Sequence, residues 1–356
     1  MTITSLATAA GISTKSISDF ENAKREPTTD TSVRLAAALA VPVGYLARAP
    51  IDEVPVDAVS FRAPTKMTAR NRGKALSVAS HAVELRQWID ERYDTPAVDV
   101  PTLHRFVGLD GAAEAASVVR AKWGLGEAPL GNLVHLLEFH GIAVFSVEAN
   151  KKELDAFAFR DGGRPYVLLS TTKSAERGRF DAAHELGHLV LHCEDASPTG
   201  LEAEREANAF ASAFLMPAGD VRSFMPSIAS MPAILASKHR WRVAAIALAY
   251  RLHDLDLLTD WSYHTTCVDL SRMGYRSGEP EGIDRESSKL LSQVMSDLWT
   301  TKGGFDRLCS DLAINAPDIN DLIFNLAPSA VTGSANRTPG RGDLRLVNRT
   351  NETEST

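Results

Sequence analysis

The segment from residue 184 to residue 188, His-Glu-Leu-Gly-His, has the residue types and the spacing of a metal-dependent hydrolase. His184 and His188 are four residues apart, so in a helix they share one face and can bind one zinc ion through bonds of about 2 Å. Glu185 lies about 100° around the helix from His184. It is therefore not a ligand, but at a solvent-filled site it can take a proton from water held by the metal. The five residues alone are equally compatible with an ordinary helix that exposes its histidines.

A third ligand decides the class of site, and three glutamates compete for this role. His192 is excluded, because it lies eight residues from the first histidine, about 12 Å along a helix axis. Glu204 shares a face of the next predicted helix with Asn208, so the amide can support a ligand from behind. Glu206 points about 200° away from Glu204 and is the runner-up ligand, and Glu202 ranks below both. The apolar stripe that packs this helix onto the first consists of Ala207, Phe210, Ala211 and Phe214.

The pattern around this segment changes from helical to β-rich and back. Residues 66–140 have a helical pattern throughout. Three short β-rich runs follow, and the last two, 155–160 and 165–170, are separated by Asp-Gly-Gly-Arg, which is a hairpin signal. These runs predict a small antiparallel sheet, in which the run 165–170 offers an edge to an extended peptide. Residues 230–325 are helical again.

The composition of the whole chain is that of a globular protein with more than one domain. A chain of 356 residues is too long for one compact core, and 44% of its residues are hydrophobic. A net charge of -7 argues against a protein that coats nucleic acid, but does not exclude one small DNA-binding module. The three cysteines are too few and too far apart for a disulfide framework or a thiolate zinc site. No segment resembles a signal peptide or a membrane span, so we expect a cytoplasmic protein without a membrane partner.

Residues 1–47 have the pattern of short helices with clear starts and stops. Gly11 is a natural helix stop, and Ser13 is a good N-cap for the helix that follows. A third helix is predicted to start at Asp30 or Thr31. Its apolar face consists of Val33, Leu35, Ala36 and Leu39.

These patterns predict an α+β fold that is mostly helical. The expected segments are a helix-turn-helix domain at 1–48, a linker at 49–65, a central domain at 66–230, a C-terminal helical domain at 231–327 and a disordered tail at 328–356. The central domain contains the small sheet and the helix with the two histidines.

The string "RFDAAHELGHLVLH" followed by "EREANAFASAFLMP" resembles the ImmA/IrrE family of metallopeptidases, and the upstream "LGNLVHLLEFHGIAVFSV" is similar to it as well. The resemblance covers roughly residues 60 to 260. It implies a zincin-like domain in which His184, His188 and Glu204 bind Zn²⁺ and Glu185 is the catalytic glutamate. A second donor to the developing oxyanion is usual in such sites, and Tyr166 and His192 are weak candidates for it.

The N-terminal residues "SLATAAGISTKSISDFENAKREPTTDTSVRLAAALAVPVGYL" resemble the XRE-type helix-turn-helix domain. The resemblance places the core and the turn at Leu6, Ala7, Gly11, Ile12, Ile17, Phe20, Leu35, Ala36, Leu39 and Leu46. It implies contacts with DNA bases from Thr14, Lys15, Ser16 and Ser18, and contacts with phosphates from Lys24 and Arg25. One short module buries little surface, so tight binding calls for a homodimer. The first 50 residues hold five basic and four acidic side chains, which leaves open a module that packs or dimerises without reading DNA.

Three functions fit these features. The leading hypothesis is a transcriptional regulator with a zinc endopeptidase domain, whose substrate is a repressor of the XRE type. The second is a DNA-binding regulator whose zinc domain senses a ligand or a metal, or contacts a protein, and cleaves nothing. The third is a toxin–antitoxin or phage-immunity component that acts by protein contact. Glu185 favours the first, because a sensor has no need of a general base.

Overall fold

The computed structural model describes residues 1–48, 54–55, 59–61, 68–147, 156–170, 173–192, 200–226 and 229–327. Most of the predicted linker at 49–65 and the whole predicted tail at 328–356 lie outside these residues. No helix among the described residues is both long enough and apolar enough to cross a bilayer.

The described residues form sixteen helices and four strands. The helices are α1 (Ile3–Ala10), α2 (Thr14–Glu21), α3 (Thr29–Leu39), α4 (Val43–Ala47), α5 (Ala69–Arg92), α6 (Gly108–Lys122), α7 (Leu133–Phe139), α8 (Ala175–Leu191), α9 (Leu201–Leu215), α10 (Ala218–Phe224), α11 (Met231–Trp241), α12 (Ala245–Asp254), α13 (Asp260–Arg272), α14 (Lys289–Thr300), α15 (Gly304–Leu312) and α16 (Ala316–Ile323). The strands are β1 (Val59–Phe61), β2 (Ala143–Val147), β3 (Phe157–Asp161) and β4 (Arg164–Ser170). This is the mostly helical α+β fold that the sequence predicts.

Internal contacts divide the chain into two compact units. The first unit consists of Met1–Asp52 and Val294–Asp321, and the second of Glu53–Gln293 and Leu322–Thr356. The first unit is therefore discontinuous in sequence. Within it, Arg48 donates from Nη1 to the carbonyl of Leu312 over 2.7 Å, and Asn315 donates from Nδ2 to the carbonyl of Ala40 over 2.7 Å.

The N-terminal helices of the first unit begin and end close to the predicted residues. Gly11 caps the C-terminal end of α1, and its φ of 63° is the left-handed conformation that glycine adopts without strain. The Ser13 hydroxyl accepts from the backbone N–H of Ser16 and caps α2. Helix α3 starts one residue earlier than predicted, because Thr28 is its N-cap.

The core of these helices is smaller than predicted. Its buried residues are Ala7, Ala10, Ile17 and Leu35, with Leu6, Ile12, Phe20 and Ala38 packed at its edge. The prediction that Leu39 and Leu46 lie in the core is wrong, because each is 38% exposed. Val33, on the predicted apolar face of α3, is 48% exposed. The core contacts the side of α3 that carries Leu35, so the ends of the predicted apolar stripe lie outside it.

The sheet of the second unit has the strand order β1-β3-β4-β2. Strands β3 and β4 form the predicted hairpin, and its two glycines, Gly162 and Gly163, have φ of 53° and 81°, as a tight hairpin turn requires. The predicted antiparallel sheet is corrected at one strand: the pairs β1–β3 and β3–β4 are antiparallel, but β2 pairs with β4 in the parallel direction. Strand β4 thus has a neighbour on both sides, so it offers no edge to a peptide, contrary to the prediction.

Three non-helical segments of ten residues or more interrupt the predicted helical stretches, at 93–107, 123–132 and 273–288. The first of these segments contains Pro96 and Pro101, and proline disfavours a helix. The third contacts α8, where the Glu176 carboxylate accepts from the backbone N–H of Ile283 over 2.7 Å. The segment 273–288 therefore supports the helix that carries the two histidines.

Candidate metal centre

Helix α8 is held at both ends by contacts from distant parts of the second unit. Near its start, Arg179 donates to the carbonyls of Gly131 and Leu130 over 2.6 and 2.9 Å and pairs with Glu286. At its end, the carbonyl of Val190 accepts from the backbone N–H of Leu103 over 2.7 Å. These contacts fix the axis on which His184 and His188 lie.

Helix α9 packs closely against α8 at Gly187. A Cβ at this position would lie 3.2 Å from Cα of Ala207 and 3.2 Å from a ring carbon of Phe210, which is tighter than ordinary contact, so a side chain here would require these neighbours to shift. The predicted apolar stripe of α9 is fully buried, at Ala207, Phe210, Ala211 and Phe214. This close packing brings the first turn of α9 next to the histidines.

Three side chains converge at this point, namely His184, His188 and Glu204. The Nε2 atoms of the two histidines are 3.0 Å apart. One Glu204 oxygen lies 3.5 Å from Nε2 of His184, and the other lies 3.3 Å from Nε2 of His188. Ligands about 2 Å from a tetrahedral zinc ion are about 3.3 Å from one another, so these residues fit the ion.

The electrostatics of the cluster suit a cation. Burial by itself raises the pKa of Glu204, but hydrogen bonds with His184 and His188 outweigh burial and hold the pKa well below its usual range. Glu204 is therefore a carboxylate at neutral pH. The set of two imidazoles and one carboxylate is the donor set of zinc sites that keep an open coordination position.

The remaining ring nitrogens of the two histidines have partners of different kinds. Nδ1 of His184 lies 3.0 Å from the amide oxygen of Asn208, the residue predicted to support the site from behind. Nδ1 of His188 lies 3.0 Å from Nδ1 of His192. Nε2 of His192 lies 2.9 Å from the carboxylate of Glu206.

The competing glutamates of α9 lie away from the cluster. Glu206 is buried behind His192, and Glu202 is on the surface. The sequence indicates that Glu206 points away from Glu204, but it gives no signal for the pairing with His192. Burial lowers the pKa of His192, and the hydrogen bond with Glu206 offsets this only in part.

Glu185 follows His184 in α8 and is 1% exposed. The predicted solvent-filled surrounding is therefore wrong, because this residue is almost completely buried. Tyr166 lies in β4, where its ring stacks on Phe159 with centroids 4.8 Å apart, and burial raises the pKa of Tyr166 to about 12. The described contacts of Tyr166 are with the sheet and not with the cluster.

The six predicted DNA contacts lie on α2 or just after it, at Thr14, Lys15, Ser16, Ser18, Lys24 and Arg25. All are exposed except Ser16 and Ser18, which are half-buried. The hydroxyl of Ser16 lies 2.9 Å from that of Ser13, so it takes part in the cap of α2. Lys15 is the basic residue on the exposed face of this helix.

Two segments of the chain match known families. Residues 137–253, which include α8 and α9, match the IrrE N-terminal-like domain of the M78 peptidases. Residues 1–46 match a helix-turn-helix family. The chain contains a helix-turn-helix domain and an IrrE N-terminal-like domain. This confirms both resemblances predicted from the sequence.

The IrrE N-terminal-like domain is a metallopeptidase-type domain, and its metal is usually zinc. The helix-turn-helix domain supports DNA binding, so the chain joins a DNA-binding regulator to a protease-like domain. No curated protein matches the chain.

Proposed function

We propose that the chain is a transcriptional regulator that cleaves a protein substrate with a zinc-dependent peptidase site. The observation that carries this proposal is the convergence of His184, His188 and Glu204, with Glu185 beside them on α8. A buried carboxylate next to a three-ligand site fits a general base better than it fits a structural role.

In the proposed mechanism, His184, His188 and Glu204 hold the zinc ion. When bound, zinc makes a water molecule acidic near neutral pH and polarises the carbonyl of the substrate. A carboxylate oxygen of Glu185 accepts the proton of the attacking water and passes it to the leaving nitrogen. The surrounding apolar helices exclude other water from the site, which strengthens each of these interactions.

The first test of this proposal is the metal content. The purified chain is expected to bind about one zinc ion, and Glu204→Ala is expected to weaken binding more than about 100-fold, beyond the range for a supporting residue. His188→Ala is expected to do the same, because only two ligands remain. Competition with a chromophoric chelator measures both affinities.

Glu202→Ala is the matched control for the metal test, since Glu202 is an exposed glutamate in the same helical turn. It is expected to bind zinc like the wild-type chain. If Glu204→Ala and Glu202→Ala bind zinc equally well, Glu204 is not a ligand.

The proposed protein substrate is a repressor of the XRE type, and the chain itself contacts DNA as a homodimer.

Within the first unit the basic side chains near α2 are few. The segment 294–321 adds five acidic and two basic residues, so the first unit as a whole carries no net positive charge. Specific contacts by α2 therefore have to supply much of the affinity.

Two lysine substitutions test the proposed DNA contacts in the full chain. Lys15→Ala is expected to lower the preference for a selected operator over random DNA about 10-fold, because Lys15 faces the bases. Lys24→Ala is expected to weaken binding to all sequences alike and to reduce the salt slope by about 1, because Lys24 meets phosphate. Titrations at several salt concentrations measure both effects.

Arg272→Ala is the control for the DNA test, because Arg272 is an exposed arginine on α13 in the second unit. It is expected to leave DNA binding unchanged. Weak binding to every sequence, without dependence on salt, contradicts the proposal and favours a module that packs or dimerises without reading DNA.

A further inference from the structure

A line of buried polar side chains leads from His188 to helix α6. Nδ1 of His188 is 3.0 Å from Nδ1 of His192, and Nε2 of His192 is 2.9 Å from Oε2 of Glu206. The other oxygen of Glu206 accepts from the backbone N–H of Gly108 over 2.5 Å. The side chains of His192 and Glu206 are 5% and 2% exposed. Three elements, α8, α9 and α6, thus contribute to one line of hydrogen bonds.

Each contact in this line has one consistent assignment of hydrogens when His188 binds a metal. Nε2 of His188 faces the cluster and needs its lone pair, so the ring proton is on Nδ1 and is donated to His192. Nδ1 of His192 accepts it, and the proton of His192 is on Nε2. This proton is donated to Glu206, whose other oxygen accepts from Gly108.

The opposite assignment removes His188 from the ligand set. If His192 carries a proton on Nδ1, then Nδ1 of His188 has to accept it, and the proton of His188 moves to Nε2. A protonated Nε2 cannot bind a metal. The Glu206 carboxylate, which only accepts, prevents this assignment because it requires a donor at Nε2 of a neutral His192.

We propose that His192 and Glu206 are positioning residues, which hold His188 in the orientation and the tautomer that bind the metal. This proposal rests on the proposed metal binding by His188. It assigns to Glu206 a role behind the site, whereas the sequence alone presents it as the runner-up ligand. His184 has a neutral partner, Asn208, so the anionic support is specific to His188.

Glu206→Gln tests the proposal with a side chain of the same shape. Its NH2 group has to face either the N–H of Gly108, where two donors oppose each other, or Nε2 of His192, which forces the wrong tautomer. Zinc binding is expected to weaken about 10- to 100-fold, as for other residues behind metal ligands. Glu202→Gln is the matched control and is expected to bind zinc like the wild-type chain.

Two substitutions of His192 separate hydrogen bonding from packing. His192→Leu removes the acceptor and is expected to weaken zinc binding about 10- to 100-fold. His192→Asn places an amide oxygen near the position of Nδ1, accepts from His188 and is expected to recover most of that loss. In the His192→Asn background, Glu206→Gln is expected to have no further effect, because the contact through which Glu206 acts is absent.

Nuclear magnetic resonance of the zinc-loaded chain gives a readout that is independent of affinity. The Nδ1 proton of His188 is expected to give a slowly exchanging imidazole N–H signal in the wild-type chain and in His192→Asn, and none in His192→Leu. Thermal unfolding of the metal-free variants shows separately whether each one folds.

The outcomes distinguish the two levels of the proposal. A wild-type chain that binds no zinc overturns both the proposed function and the role of His192. A wild-type chain that binds zinc, with His192→Leu or Glu206→Gln binding it equally well, overturns only the positioning role. Equal losses of zinc affinity in His192→Leu and His192→Asn also overturn the positioning role, because they indicate that His192 acts through packing and not through its hydrogen bond. If Glu206→Gln does not fold, the two His192 variants decide.

Discussion

The Glu185→Gln variant is expected to retain zinc and to lose about 10²- to 10⁴-fold in cleavage rate, which is the usual loss when a general base is removed. Glutamine has the shape of glutamate but cannot accept the proton of the attacking water. Because Glu185 is 1% exposed, an alanine at this position would leave a cavity and confuse a stability effect with a catalytic one. Cleavage of a co-expressed repressor of the XRE type, metal content and thermal unfolding are the measurements.

The same variant separates a peptidase from a sensor. For a peptidase, Glu185→Gln has the phenotype of a deletion in cells, although it binds zinc and DNA like the wild-type chain. For a sensor, it has the wild-type phenotype. Glu202→Gln is the matched control and is expected to cleave normally. Normal regulation by Glu185→Gln contradicts the peptidase function of this chain.

The metal cluster could be predicted because its spacing is local. The four-residue separation of His184 and His188 places them on one face of any helix, and the face shared with Asn208 points to Glu204 rather than Glu206. The structure brings these side chains together. The assignment of Glu204 and Glu185 to their chemical roles stays a prediction until the variants are measured.

The role of Glu206 could not be predicted, because its partner at Gly108 is 98 residues away in sequence. The direction of β2 is another feature with no local signal, since it depends on pairing with a strand beyond β3. The exposure of Leu39 has the same origin: the periodicity of α3 marks an apolar face, but the neighbouring helices decide how much of it is covered.

Contacts at the start of α8 lead to the second large expected effect. Arg179→Met is expected to lower the free energy of unfolding by about 3 kcal/mol, because it leaves the Glu286 carboxylate buried without its main counter-charge. We expect the lower end of the usual cost of breaking a buried ion pair, because Arg242 remains 3.8 Å from the same carboxylate and compensates part of its charge. The carbonyls of Gly131 and Leu130 also lose their donor. Denaturant unfolding of the metal-free chain measures the change.

A second substitution identifies the cause of this loss. Glu286→Gln in the Arg179→Met background removes the uncompensated charge and keeps an acceptor for the backbone N–H of Leu133, so it is expected to recover part of the stability. Arg177→Met, at an exposed arginine of the same helix, is the control and is expected to stay within about 0.5 kcal/mol of the wild-type chain. A double variant no more stable than Arg179→Met contradicts the charge explanation. The proposed zinc site needs side chains from both α8 and α9 and therefore exists only in the folded chain, so saturating zinc is expected to raise the unfolding midpoint of every variant that keeps the site.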